Sequence, residues 1–174
     1  MVFFLNRYFE AIGSAIKAAG GIPNQFTGDG VMALFGVGAG AEDGCRRALW
    51  AAGAMLDSLA RLSDTLAEEL PEPLRMGIGI HTGPAVVGRM GYEDTTYLTA
   101  VGDTVHVASR LEALNKEYEG PLIISEQVAQ RAGIDVSDYP AHLLTVRNRT
   151  EPLTIRVIDE VPQIAARVRP LVSL

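Results

Sequence analysis

The stretch that decides the fold is QFTGDGVMALFG, residues 25–36. Apolar residues flank a Gly-Asp-Gly turn at residues 28–30, and glycine allows the positive φ that a tight two-residue turn needs. The pattern predicts a β-hairpin that carries one carboxylate, Asp29, at its tip. A carboxylate on a stiff turn suits a hard cation such as Mg²⁺, which prefers oxygen ligands. An ordinary surface Asp-Gly turn has the same pattern, so the hairpin alone leaves both interpretations open.

Composition limits the class of protein. The 174 residues suffice for one domain with a sizeable core, and we expect a single domain over residues 1–174. No apolar run reaches the roughly 18 residues of a membrane-spanning helix, and the N-terminus lacks the basic lead of a signal peptide. The one cysteine, Cys45, allows no internal disulfide and indicates a reducing, cytoplasmic compartment. A net charge of -6 without a basic run argues against a nucleic-acid partner.

Hydrophobic spacing predicts the remaining elements. Helices are expected over residues 5–19, 42–69 and 104–118, with a short helix capped by Ser125. Strands are expected over 74–81, with 85–88 returning beside it, over 97–101 and 121–124, and in a final hairpin of 143–146 and 153–158. Residues 89–95 are typical of a loop, and residues 162–174 show no clear pattern. This mixture predicts an α+β sandwich with an antiparallel sheet.

Four motifs follow one another along the chain: LNRYF at 5–9, NQFTGDGVMALFG at 24–36, GIGIHTG at 77–83 and TAVGDTVHVASRLE at 99–112. In this order and spacing the chain resembles the class III adenylate/guanylate cyclase catalytic domain over about residues 5–160. The resemblance implies a ferredoxin-like core and conversion of ATP or GTP to a cyclic 3′,5′-monophosphate and pyrophosphate. It also implies a head-to-tail homodimer with sites at the interface. There, two divalent ions, Mg²⁺ or Mn²⁺, bound by one subunit meet the base-reading and transition-state groups of the other.

The resemblance assigns roles position by position. Asp29 matches a metal-binding aspartate, and Arg110 matches the arginine that stabilises the transition state, where its guanidinium can hold phosphate oxygens in a fork. The alternative for Arg110 is a surface ion pair, for example with Glu112. Thr99 falls where the family reads the purine, and threonine there resembles the bacterial adenylate cyclases.

The phosphate-binding lysine of the family falls near Arg147. Arg149 is an alternative for that role, and either arginine can also be a solvated charge of the final hairpin. The sequence alone does not choose between them.

The chain departs from the family pattern in three places. In the family the first metal aspartate lies on a strand before the LNRYF helix, so we expect that strand and its aspartate to be absent and the neighbouring strand edges to be open. Gln25 stands where a lysine is usual, and its amide can read adenine, guanine or neither strongly. His106 stands where an asparagine positions the nucleotide, and it can donate to a ligand or pack on its helix.

The sequence therefore predicts a nucleotidyl cyclase domain that converts ATP to cyclic AMP in intracellular signalling, within the cytoplasm or as the cytosolic part of a larger signalling protein. The alternatives are a guanylate cyclase, or a catalytically degenerate homologue that serves as a dimerisation or nucleotide-sensing module. The predicted site has two catalytic residues, three substrate-binding residues and one metal ligand: Arg110 and His106; Gln25, Thr99 and Arg147; and Asp29.

Overall fold

The structure is a computed structural model that describes residues 2–28 and 30–172, with residues 25–27 described by their backbone. The helices are α1 (Val2–Ala18), α2 (Ala41–Thr65), α3 (Asp103–Tyr118), α4 (Glu126–Ala132) and α5 (Val161–Val168), with a 3-10 turn at Arg169–Leu171. The strands are β1 (Ile22–Thr27), β2 (Gly30–Leu34), β3 (Ile78–Ile80), β4 (Val86–Tyr92), β5 (Thr95–Val101), β6 (Leu122–Ser125), β7 (Ala141–Leu144) and β8 (Leu153–Ile158). Within the described ranges, no helix is both long and apolar enough to span a bilayer.

A four-stranded mixed sheet lies at the centre, in the order β3-β6-β8-β7. β3 runs parallel to β6, and the other two pairings are antiparallel. The β1–β2 and β4–β5 hairpins each form a separate two-stranded sheet. This arrangement confirms the predicted α+β class, the backbone of the predicted hairpin over 25–36 and the final hairpin. Among the described residues β3 pairs with β6 alone and lies at the edge of this sheet.

Helices cover both faces of the central sheet. Because successive side chains of a strand point to opposite faces, Leu122 and Ile124 of β6 pack with α2, α4 and α5, whereas Ile123 packs with α3. All three side chains are fully buried. The sheet thus holds α3 firmly by its inner face and leaves the outer face of that helix available.

Glycine brings α3 unusually close to β3. A Cβ on Gly79 would collide with the backbone nitrogen of Glu112, so this position of the GIGIHTG motif has no room for a side chain. Asn115 locks the contact, since its Nδ2 donates to the carbonyl oxygen of Ile78 at 2.9 Å. The motif therefore has a packing role, which is to seat α3 on the sheet.

The strand predictions for residues 74–101 were partly wrong. Residues 89–92 continue β4, and the turn is limited to Glu93 and Asp94. Arg89 suggested a loop, but its strand lies at the surface, where a charged side chain costs little. β4 pairs with β5 and does not return beside the 74–81 stretch, in which only Ile78–Ile80 is a strand.

Two helix predictions also need correction. The tail forms α5, because Val161, Ile164 and Val168 recur at helical spacing and are fully buried in the core shared with α2. Ser125 stands at the N-cap of α4 but makes no side-chain cap bond. Its hydroxyl instead pairs with Nδ1 of His81 at 2.8 Å.

Candidate active site

The outer face of α3 carries two of the predicted residues. His106 and Arg110 lie one helical turn apart and are both exposed. Val107 and Leu111 turn inward and are buried against the sheet. The inward apolar residues thus fix the helix rotation that presents His106 and Arg110 to solvent.

Arg110 reaches the segment that follows β7. Its Nη1 donates to the carbonyl oxygen of Thr145 at 2.7 Å, and this bond, rather than an ion pair with Glu112, is its described contact. Residues 145–149, called here the arginine segment, carry Arg147 at their exposed turn. The structure therefore brings the segment that carries Arg147 into contact with Arg110, 35 residues before Thr145 in the sequence.

The arginine segment has a defined local shape. Val146 is buried in the core beneath α3, and the backbone nitrogen of Arg149 donates to its carbonyl oxygen at 3.2 Å. Asn148 closes the turn with a φ of 66°, a conformation that asparagine tolerates better than most residues. Arg147 consequently lies on a hydrogen-bonded turn that is anchored in the core by Val146.

Arg147 and Arg149 differ in their surroundings. Nε of Arg149 lies 3.7 Å from Oδ2 of Asp103, in the first turn of α3. Arg147 has no ion pair or side-chain hydrogen bond with any residue of the described ranges. Arg147 is therefore the cation whose charge is left for a ligand, which favours it over Arg149 for the phosphate-binding role.

Thr99 lies on β5, opposite Gly88 of β4, and is only 4% exposed. β5 packs beside β1, the strand on which Gln25 pairs with Met32. The two residues predicted to read the base thus occur on neighbouring strands. Asp29, the predicted metal ligand, lies outside the described residues.

The described residues do not assemble a metal site. Across residues 2–28 and 30–172, no group of three or more His, Cys, Asp or Glu side chains is placed to hold one ion. Asp29, the predicted ligand, lies outside that range, so its role in metal binding stays a prediction.

Sequence reasoning missed a buried polar pair next to the site. His81 shares a hydrogen bond with Ser125, and its Nε2 is buried without a partner. Burial, and then the charge of Arg149, lower the pKa of His81 from 6.5 to about 4, although Asp103 acts in the opposite direction. His81 is therefore neutral at physiological pH. The two residues lie 44 positions apart, and no local signal in either links them.

An open groove of about 570 Å³ lies between α4 and residues 148–154. Arg149 lines it, and of the described site residues none is among its lining. His106, Arg110 and Arg147 lie on the exposed surface, whereas Thr99 is buried.

The sequence profile described as the adenylate and guanylate cyclase catalytic domain matches residues 1–151. The chain belongs to this family. It is 39% identical over 132 residues to an adenylate cyclase of Anabaena cylindrica, and 36% identical over 160 residues to adenylate cyclase 1 of Rhizobium meliloti. These alignments cover 73% and 89% of the cyclase chain but 25% and 23% of the relatives. The chain thus spans about a quarter of the length of these curated relatives.

Solved structures of the family share the fold. The guanylyl cyclase Cya2 is 30% identical with a TM-score of 0.78, over 90% of this chain and 78% of that one. The adenylyl cyclase CyaB from P. aeruginosa is 26% identical with a TM-score of 0.74, over 91% and 82%. The predicted family and class III cyclase fold are confirmed. The assigned residue roles stay predictions.

Proposed function

We propose that this cyclase domain converts ATP to cyclic AMP and pyrophosphate in intracellular signalling. The observation that carries the proposal is the contact between Arg110 and Thr145, which joins the exposed face of α3 to the segment that bears Arg147. Two guanidinium groups on one surface suit a triphosphate, because each can hold phosphate oxygens in a fork. The adenylate cyclases of Anabaena cylindrica and Rhizobium meliloti support ATP as the substrate.

The reaction joins the 3′-oxygen of the ribose to the α-phosphorus. The 3′-hydroxyl transfers its proton to solvent water, the bond from the α-phosphorus to the oxygen bridging to the β-phosphate breaks, and pyrophosphate leaves with that oxygen. Arg110 stabilises the charge that develops on the α-phosphate oxygens, and Arg147 binds the departing pyrophosphate. The family resemblance implies that the reaction requires Mg²⁺ or Mn²⁺.

The remaining roles concern the nucleoside. His106, exposed one turn before Arg110, donates to the sugar-ring oxygen. Gln25 and Thr99, on neighbouring strands, read the adenine through amide and hydroxyl hydrogen bonds. Because Thr99 is 4% exposed in the isolated chain, the base reaches its hydroxyl only after neighbouring residues move.

We propose a homodimer on the evidence of the β4–β5 hairpin. The strand register places Val86 opposite Val101 and Met90 opposite Tyr97 on one face, and all four are 44–71% exposed. Tyr92, at the end of the same face, is 80% exposed. Exposed apolar side chains clustered on one hairpin mark an interaction site, and a second copy of the chain is the partner that the family resemblance implies.

We further propose that residues 1–174 act as one catalytic domain in the cytoplasm. The profile match ends at residue 151, but Ile158, Ile164 and Val168 complete the same core as Leu49 of α2. The part beyond the match is thus needed to close the fold around α2.

The test is to incubate the purified chain with ATP or GTP separately, with Mg²⁺ or Mn²⁺, and to measure the cyclic nucleotide by mass spectrometry. We expect cyclic AMP from ATP and much less cyclic GMP from GTP. Product from GTP alone would make the chain a guanylate cyclase, as Cya2 is titled. Nucleotide binding without any product would make it the degenerate homologue.

A further inference from the structure

The arginine segment touches α3 at both of its ends. Thr145 accepts the 2.7 Å hydrogen bond from Arg110, and Arg149 lies 3.7 Å from Asp103. Asp103 and Arg110 are seven residues apart on α3, which is close to two turns and about 10.5 Å along the helix. The segment turns at Arg147 and Asn148, and the long side chains of Arg110 and Arg149 make the two contacts.

The middle of the segment lies between its two contacts with the helix. His106 follows Asp103 by three residues and precedes Arg110 by four, so all three lie on one face of α3. Arg147 is the central residue of the arginine segment, and Val146 beside it is buried in the core beneath α3. Arg147 therefore lies between two contacts with α3 and next to a buried anchor.

We propose that the Asp103–Arg149 ion pair positions Arg147 for phosphate binding, so that Asp103 and Arg149 are positioning residues of the cyclase. This inference rests on the proposed function. The pair is partly exposed, with side-chain exposures of 31% for Arg149 and 56% for Asp103, so its effect is modest. Its importance lies in fixing the turn that carries Arg147, a guanidinium with no ion pair or side-chain hydrogen bond within residues 2–28 and 30–172.

The substitution Asp103→Asn separates positioning from plain electrostatics. Removing a carboxylate near a triphosphate site makes the site more positive, so an electrostatic role alone predicts a lower KM for ATP. Positioning predicts the opposite. We expect Asp103→Asn to raise the KM about two- to fivefold, with a smaller change in kcat.

A double-mutant cycle then identifies the residue through which Asp103 acts. In an Arg147→Gln background, Asp103→Asn should have no further effect on the KM, because the group it positions is gone. The exchanged variant Asp103→Arg with Arg149→Asp should recover most of the loss. The matched control is Asp138→Asn, which breaks the similarly exposed Arg167–Asp138 pair and should leave the KM unchanged.

Amide hydrogen exchange measured by mass spectrometry tests whether the Asp103–Arg149 pair fixes the arginine segment, and it does not require activity. We expect Asp103→Asn to speed exchange in residues 145–149 of the 174-residue chain and to leave that of β6 unchanged. Unchanged exchange in 145–149, a lower KM, or full additivity with Arg147→Gln would overturn the inference. The wild-type chain could make no cyclic nucleotide while Asp103→Asn still speeds exchange in residues 145–149. In that case the proposed function has failed, and the ion pair has only a structural role.

Discussion

The central sheet and the two hairpins differ in how completely this chain buries them. β6 is fully buried and helices cover it on both faces, whereas six of the seven residues of β4 are exposed. The residues proposed to hold phosphate stand on α3 and the arginine segment, which the central sheet anchors. The residues proposed to read the base stand on the hairpins. The elements proposed to bind phosphate are thus anchored in the core of this chain, while those proposed to read the base include a hairpin with exposed apolar side chains.

Truncating one side chain in each region would test the difference most strongly. Ile124→Ala removes a fully buried side chain from β6, and we expect the free energy of unfolding to fall by about 2–5 kcal/mol. Val86→Ala, at a site 71% exposed in β4, should cost less than about 0.5 kcal/mol. Urea denaturation measures both. Equal losses would mean that the hairpin is as tightly integrated as the sheet.

The elements proposed to bind phosphate are tested by Arg110→Ala. Losing a cation that stabilises charge in the transition state should lower kcat for cyclic AMP formation about 100-fold, with a smaller change in KM. The control is Arg61→Ala on α2, whose side chain is 71% exposed and pairs with Asp57. That variant should retain wild-type kcat. A kcat unchanged by Arg110→Ala would remove Arg110 from the catalytic machinery.

The buried His81 predicts a pH dependence of stability. Its pKa is about 4 in the folded chain and 6.5 ordinarily, so between these values the unfolded chain binds more protons. The stabilisation is complete above pH 6.5 and is lost as the pH falls towards 4, by about 1–2 kcal/mol after screening.

Urea denaturation across that pH range measures the loss. A His81→Gln variant should reduce the pH dependence, whereas His142→Gln, which leaves His81 in place, should not. Identical curves for His81→Gln and the wild type would show that another group is responsible.

Introducing a charge tests whether the exposed apolar face of the β4–β5 hairpin forms the dimer interface. Met90→Asp places a carboxylate in the exposed apolar face of β4–β5, and burial of that charge at an interface should raise the Kd for dimerisation about tenfold or more. Leu143→Asp, at a site 72% exposed on β7, is the matched control and should not change it. Sedimentation measures both. If Met90→Asp leaves the Kd for dimerisation unchanged, the dimer interface lies on another surface.

Local sequence patterns predicted the helices and strands whose formation depends on residues close together in the chain. The helical spacing of α1, α2 and α3 and the alternation of the final hairpin depend on neighbours a few residues apart, and the structure agrees with them. α5 carries the same kind of signal in Val161, Ile164 and Val168, but its eight residues are short and its burial comes from α2. The prediction that residues 162–174 show no clear pattern overlooked this weak helical spacing.

Local sequence patterns could not predict which distant segments pair with each other. β3 pairs in parallel with β6, more than forty residues later, so nothing beside β3 reveals its partner. The same holds for the candidate site. Arg110 was identified through the family motif, but its bond to Thr145 and the Asp103–Arg149 pair are products of the tertiary fold.

The central claim is that each active site is shared between two copies of this chain, with the metal ligand on one and Arg110 on the other. The most direct test mixes two inactive variants, Asp29→Asn and Arg110→Ala, and measures cyclic AMP formation from ATP. In a random mixture half of the dimers are mixed and one of their two sites is intact, so about a quarter of the wild-type activity should return. A mixture as inactive as either variant alone would contradict the claim.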